Sequence, residues 1–241
     1  DMFHEGLWLT ASSNAIYTNK FWESSYVGRG LFGNFYNFFI WKITNINSIG
    51  FSRLITLLLT FCNKILLIFI AKSLVEKCSL NKIEKNLFFI ILSFLIINLF
   101  SYDVSAGSYY RLFILLIFVF FLLNYFDNLK SKSFSFFCIG FLSSSSLFWF
   151  IDIGFFINFI IVIFAIFLIL NKFYSNFFYL FFYIILGWLF WYILLPEKEF
   201  ISFYHNTINI LKSIEYIGGL IYPTPFFSKD ARSTKALLLI L

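Results

Sequence analysis

Ile153–Asn171 reads IGFFINFIIVIFAIFLILN, nineteen residues with no charge, between Asp152 and Lys172. A helix crossing the hydrocarbon of a bilayer needs about 20 mainly apolar residues, within a range of about 17–25. The apolar run is continuous rather than alternating, so the spacing predicts a membrane-spanning helix and not a barrel strand. The same test, applied outward, finds Phe51–Ala71, Asn86–Tyr102, Leu112–Phe126, Ser133–Ile151 and Phe173–Pro196. Leu112–Phe126 is short, but Arg111 at its end can snorkel to the interface. A further span begins near Ser233 and stops at Leu241 inside an apolar run.

Composition agrees with that pattern. Hydrophobic residues make up 61% of the 241 and charged residues 12%, where soluble domains carry about 45–50% and about 25%. Mean hydropathy is +0.86. The fold class expected is all-α, a polytopic transmembrane helix bundle with an extracytoplasmic loop carrying short interfacial helices. Residues 1–50 form that first loop, 51–195 six spans, 196–232 an outer loop, and 233–241 the start of another span. The chain has no initiating Met and ends within an apolar run, so sequence is expected to be missing at both ends. Phe, Ile, Asn and Lys are the residues an AT-rich coding sequence favours, and the Phe excess carries no functional inference.

The net charge of +6 points to no nucleic acid, because the lysines fall between apolar runs. Lys72, Lys77, Lys82 and Lys85, then Lys130 and Lys132, then Lys172, lie in loops of one parity, which the positive-inside rule makes cytoplasmic. The opening segment, SYDVSAGSYYR (101–111), FIDIG (150–154) and the stretch from Glu197 to Asp230 then face outward. Within that stretch, EFISFYHNTINILKSI (199–214) reads as an amphipathic helix along the interface, and Pro223 and Pro225 fix a turn. Cys62, Cys78 and Cys138 have neither zinc nor disulfide spacing. Lys64 falls inside the first span, where a charge costs at least about 2.5–3.5 kcal/mol. It faces the bundle interior and an acid there, or the span's limits differ from those read.

The polar start needs explaining. Asp1, His4 and Glu5 have i, i+3, i+4 spacing, one face of a helix. Carboxylates there can act as a general base or hold a divalent metal; they would also serve simply to solvate a helix leaving the membrane. His4-Glu5 lacks the second His of a zincin motif. GRGLFG (28–33) matches a dinucleotide fingerprint in letters but lacks the strand and βαβ unit it requires; turn glycines account for it better. Asp103 and Asp152 each sit in a short outer loop at the end of a span, where a charge beside hydrocarbon tends to mark function. As an alternative, each caps a helix end, with Asp152 as N-cap. Arg232 and Lys235, three residues apart, can share a helix face and hold a phosphate, or anchor the span. Ser143–Ser146 can bond back to their own helix carbonyls.

The opening stretch DMFHEGLWLTASSNAIYTNKFWESSYVGRGLFGNFYNFFIWKI and the spans after it resemble the GT-C superfamily of membrane glycosyltransferases, which use polyprenyl-phosphate sugars. Members open with a transmembrane helix, then a large extracytoplasmic loop that begins with a catalytic acid and carries two interfacial helices. The resemblance implies that the first helix precedes Asp1 and that FGNFYNFFIWKI (32–43) is an interfacial helix. Many members have an Asp-Glu pair where Met2 follows Asp1, and a Lys-Pro-Pro stretch where GLFGN stands. By resemblance Asp1 is the base that deprotonates the acceptor hydroxyl, or its orienting partner, with inversion at the anomeric carbon. Glu5 and His4 support it, Asp103 and Asp152 line the cavity, and Arg232, with Lys235, engages the donor phosphate. The implied partners are the bilayer, a lipid-linked sugar donor and a glycan or lipid acceptor, with the site facing outward from the cytoplasmic membrane. No cofactor is certain from the resemblance, a divalent metal stays open, and the polyprenyl-phosphate sugar is the donor substrate. The rival from another class is a lipid-linked-oligosaccharide flippase or other transporter, whose polar sites lie at the midplane; an O-antigen-type polymerase or ligase is a third.

Overall fold

The computed structural model of the chain describes residues 2–21, 31–99, 108–127, 132–195 and 197–218. Among these there are nine helices and no strand. They are α1 Met2–Thr18, α2 Leu31–Thr44, α3 Ile49–Lys77, α4 Lys82–Leu99, α5 Ser108–Asp127, α6 Lys132–Trp149, α7 Ile151–Leu170, α8 Tyr174–Leu194 and α9 Glu197–Gly218. The fold is all-α as expected. Three of the helices, α3, α7 and α8, are long and apolar enough to cross a membrane, and α5 and α6 carry the shorter apolar stretches Leu112–Phe126 and Ser133–Trp149. α2 begins at Leu31, inside the glycine motif, and no described strand precedes it.

Helix ends follow local chemistry. Asn19 and Asn45 close α1 and α2 with φ of 52° and 55°, a left-handed conformation that Asn tolerates better than most residues. Their N–H groups still donate to the carbonyls of Ala15 and Trp41. Ser48 then caps α3, accepting from the Phe51 N–H. At α4 the side chains of Asn81 and Glu84 each accept the other's backbone N–H, at 2.9 and 3.0 Å, a reciprocal cap.

α6 is the hub. It packs along α8, α7 and α5, while α3 packs on α5 and α4, and α1 pairs with α2. Glycine sets the closeness of α6 and α8. A Cβ on Gly140 would stand 2.6 Å from the Tyr183 Cβ, and one on Gly187 would stand 2.6 Å from the Ser144 Oγ. Small residues give membrane helices this kind of approach. Polar groups then bond across the gap: Trp191 Nε1 donates to Ser145 Oγ at 3.0 Å. On the other side Asn158 Nδ2 donates to the Ser143 carbonyl at 2.8 Å. Of the four serines expected to bond back, Ser144 and Ser146 do so, to Phe141 and Ser143. Ser143 and Ser145 instead join α6 to its neighbours.

The polarity of α3 is inverted relative to a soluble helix. Its buried residues include Ser52, Thr56, Thr60, Asn63 and Lys64; Leu54, Leu57, Leu58, Phe61, Ile65 and Phe69 are exposed. A large apolar face turned outward over a polar inner face suits hydrocarbon, not water. Lys64 is buried at 7% exposure and donates to the Ile97 carbonyl at 2.8 Å. Ile97 lies in the last described turn of α4. The interior position expected for Lys64 is observed, and a backbone carbonyl serves it. α3 is also longer than the stretch 51–71, starting at Ile49 and running to Lys77.

Candidate functional site

One end of the bundle collects elements that are distant in sequence. α6 stops at Trp149, Phe150 is extended, and α7 starts at Ile151; α8 gives way to α9 just beyond Leu195. Around these two breaks an apolar cluster joins Ala11 and Ala15 of α1, Phe21, Phe38 of α2, Phe148, Ile151, Trp191, Leu195, and Phe203 of α9. Phe148 is its centre, with ring centroids 4.8 Å from Trp191 and 4.4 Å from Phe203. Aromatic pairs at these distances add to what area burial contributes.

α1 has two unlike faces. Ala11, Ser12 and Ala15 are buried, and their small size lets α1 lie close against α2. His4 and Glu5 fall in the first turn of this helix. Their side chains, like Asp1, Asp103, Arg232 and Lys235, lie outside the described residues. The other face of α1 presents Thr10, Ser13, Asn14 and Tyr17 to a groove of about 450 Å³, completed by Leu9, Ile16, Trp41, Asn47 and Ile49. A smaller pocket of about 210 Å³ adjoins it, sharing Ile16, Trp41 and Asn47 and adding Phe38, Lys42 and Asn45. Cavities that hold small ligands fall at about 300–1,000 Å³. Hydroxyls and amides at i, i+3, i+4 beside an indole suit a polyhydroxyl ligand.

The Trp41 ring is fixed by its Nε1–H donating to Ser52 Oγ at 3.2 Å, which ties the groove to the polar face of α3. Lys42 Nζ donates to Asn19 Oδ1 at 3.3 Å and stands 5.1 Å from the Phe38 ring centroid. One turn before Trp41, the amide of Asn37 is wholly buried and neither polar atom makes a hydrogen bond. A buried amide without partners costs on the order of 1–3 kcal/mol, and such a group marks strain or a place for an absent polar partner.

Asp152 is the sequence-derived site residue whose side chain the structure describes. It is exposed, at the same end, and Oδ1 accepts the Ile153 N–H at 2.9 Å. It is not the N-cap. Phe150 holds that position and makes no side-chain cap, because the chain breaks there and α7 begins one residue before Asp152. Asp152 instead lies in the first turn, where the helix dipole favours a negative charge.

Glu199 was not singled out from the sequence. It is 3% exposed and accepts the Phe21 N–H at 3.1 Å across 178 positions of the chain. The signal was available: an acid in the first turn of an amphipathic helix, four residues before Phe203 and so on its apolar side. The bond pins α9 to the chain leaving α1. Glu199→Leu is expected to cost about 1–3 kcal/mol, since it strands a buried N–H. Glu199→Gln, which keeps an acceptor, should cost less; unfolding in mixed micelles followed by tryptophan fluorescence measures both. Nearby, partial burial raises the Tyr204 phenol above its ordinary pKa, and its ring stacks on Trp188.

Among the described residues no three of His, Cys, Asp and Glu come together as a metal site would require. No family model, no curated protein and no solved structure matches this chain.

Proposed function

We propose that the chain is a membrane glycosyltransferase. In this reading it moves a sugar from a polyprenyl-phosphate donor to a glycan or lipid acceptor, with inversion, at the end of the bundle where α1, α2 and α9 meet. Six spans, α3 to α8, cross the cytoplasmic membrane, and that end faces outward. The observation that carries the reading is the packing of α1 and α2 over the α6–α7 break. It puts the helix that follows Asp1 and the exposed carboxylate of Asp152 at one end. Lys77, Lys82, Lys132 and Lys172, around the shorter connections, fall at the opposite helix ends, which in this reading are cytoplasmic. The polar groove beside α1 supports a sugar-handling role.

Asp1 then serves as base or orienting partner, with His4 and Glu5 behind it. Asp103 and Asp152 line the cavity, and Arg232 with Lys235 meets the donor phosphate. A metal, where one takes part, would be held by the carboxylates of the opening segment. The buried polar face of α3 favours the flippase reading, but Thr56 and Thr60 bond the carbonyls four residues back, which uses their hydroxyls within the helix.

The test is transfer of radiolabelled sugar from polyprenyl-phosphate donors by membranes containing the chain. Asp152→Asn should lower transfer by about tenfold, the scale of one lost hydrogen bond to a charged group. Wild-type membranes inactive with every such donor, yet moving lipid-linked oligosaccharide across vesicles, would replace the transferase with the flippase.

A further inference from the structure

We propose that the exposed edge of α9 and the corner between α1 and α2 form a basic belt that binds the phosphate groups of anionic lipids. Lys198, His205 and Lys212 are exposed and seven residues apart on α9. Seven residues are nearly two turns and about 10.5 Å of helix, so the three form one line along it. Ile201, Tyr204 and Ile208 lie beside that line and are 47%, 43% and 46% exposed. The buried side of the helix carries Glu199 and Phe203.

Two hydrogen bonds continue the line beyond the helix. Glu199 accepts the Phe21 N–H, which brings the exposed Lys20 to the start of α9. Asn19, next in the chain, accepts from Lys42. Exposed apolar residues accompany these lysines too: Tyr17, Ile43 and Ile46. Glu197 and Asp152 are the exposed described carboxylates at this end, and Glu199 is turned inward.

A row of lysines with apolar residues immediately beside them fits a bilayer surface, where ammonium groups meet phosphates and the apolar residues enter the acyl boundary. α9 packs through Phe200 and Phe203 on the end of α8. α8 is apolar enough to cross a membrane, and its own Leu189, Tyr192 and Ile193 are exposed. The belt therefore continues a surface that lipid covers. Each lysine near an anionic surface contributes about fivefold in association, and salt weakens it. The inference stands apart from the transfer reaction.

The experiment uses the full chain with Cys62, Cys78 and Cys138 replaced by Ser and a fluorophore on Ile208→Cys. It is reconstituted in phosphatidylcholine vesicles containing doxyl-labelled phosphatidylglycerol or, separately, doxyl-labelled phosphatidylcholine at equal fraction. Quenching by the phosphatidylglycerol should exceed that by phosphatidylcholine several-fold. The preference should fall toward unity in about 1 M sodium chloride and in Lys198→Gln/Lys212→Gln, with the melting transition unchanged. Equal quenching by the two lipids, no quenching by either, or a preference that survives the double substitution overturns the proposal. A probe shielded by added polyglutamate but indifferent to lipid charge assigns the belt to an acidic protein and overturns it as well.

Discussion

Asn in place of Asp1 is expected to lower sugar transfer by about 10²–10⁴-fold, the range general acid–base groups supply. The substitution is nearly isosteric, so a base or a metal ligand loses its charge while the segment keeps its shape. Asp1 directly precedes α1, and His4 and Glu5 fall in its first turn. Glu5→Gln should do less harm, since in this reading Glu5 only supports the first acid. The measurement is the initial rate of transfer from a saturating polyprenyl-phosphate donor, with membrane content of each variant matched by quantitative blotting. A well-inserted Asp1→Asn protein with the wild-type rate would reduce the opening acid to a solvated helix end.

Leu at position 140 should be among the most damaging single changes to the bundle. Even a bare Cβ there would lie 2.9 Å from the Tyr183 carbonyl carbon, which is backbone and cannot rotate aside. α6 and α8 must separate, pulling Trp191 from Ser145 and opening the contact through which α6 holds the rest together. Overpacking of this kind costs about 3 kcal/mol. Gly187→Leu should behave alike. Gly50→Ala is the control, because its new Cβ meets only Ser48 Oγ, at 3.6 Å, and Ala is the better helix former. Reversible unfolding by denaturing detergent, read by tryptophan fluorescence, gives the three values. Gly140→Leu as stable as the parent would mean that the two helices do not touch at this point.

These two cases also mark what can be read from the chain without coordinates. Helices over the charge-free stretches were legible because the apolar runs are long and the polar breaks between them short. α9 was legible from its two-sided pattern, although it begins at Glu197 and extends to Gly218. The partner of Lys64 was not, since a backbone carbonyl carries no letter. The same holds for Phe21, whose N–H meets Glu199. The alternative reading of Asp152 as an N-cap failed because a single extended residue, Phe150, fixes where α7 starts. The groove was missed for another reason: Thr10, Ser13 and Asn14 look like ordinary polar filler until Trp41 and Asn47 close over them. Asp1, Asp103 and Arg232 lie outside the described residues, so their roles rest on sequence.

The bond between Lys64 and Ile97 bears on how the protein is made. Synthesised alone, α3 would offer hydrocarbon a row of hydroxyls and an ammonium, a charge that costs at least about 2.5–3.5 kcal/mol at a helix centre. One acceptor that relieves it, the Ile97 carbonyl, is 33 residues downstream. The Ile97 contact therefore becomes available only after α4 has been synthesised, so this part of the α3–α4 packing forms once both helices are made.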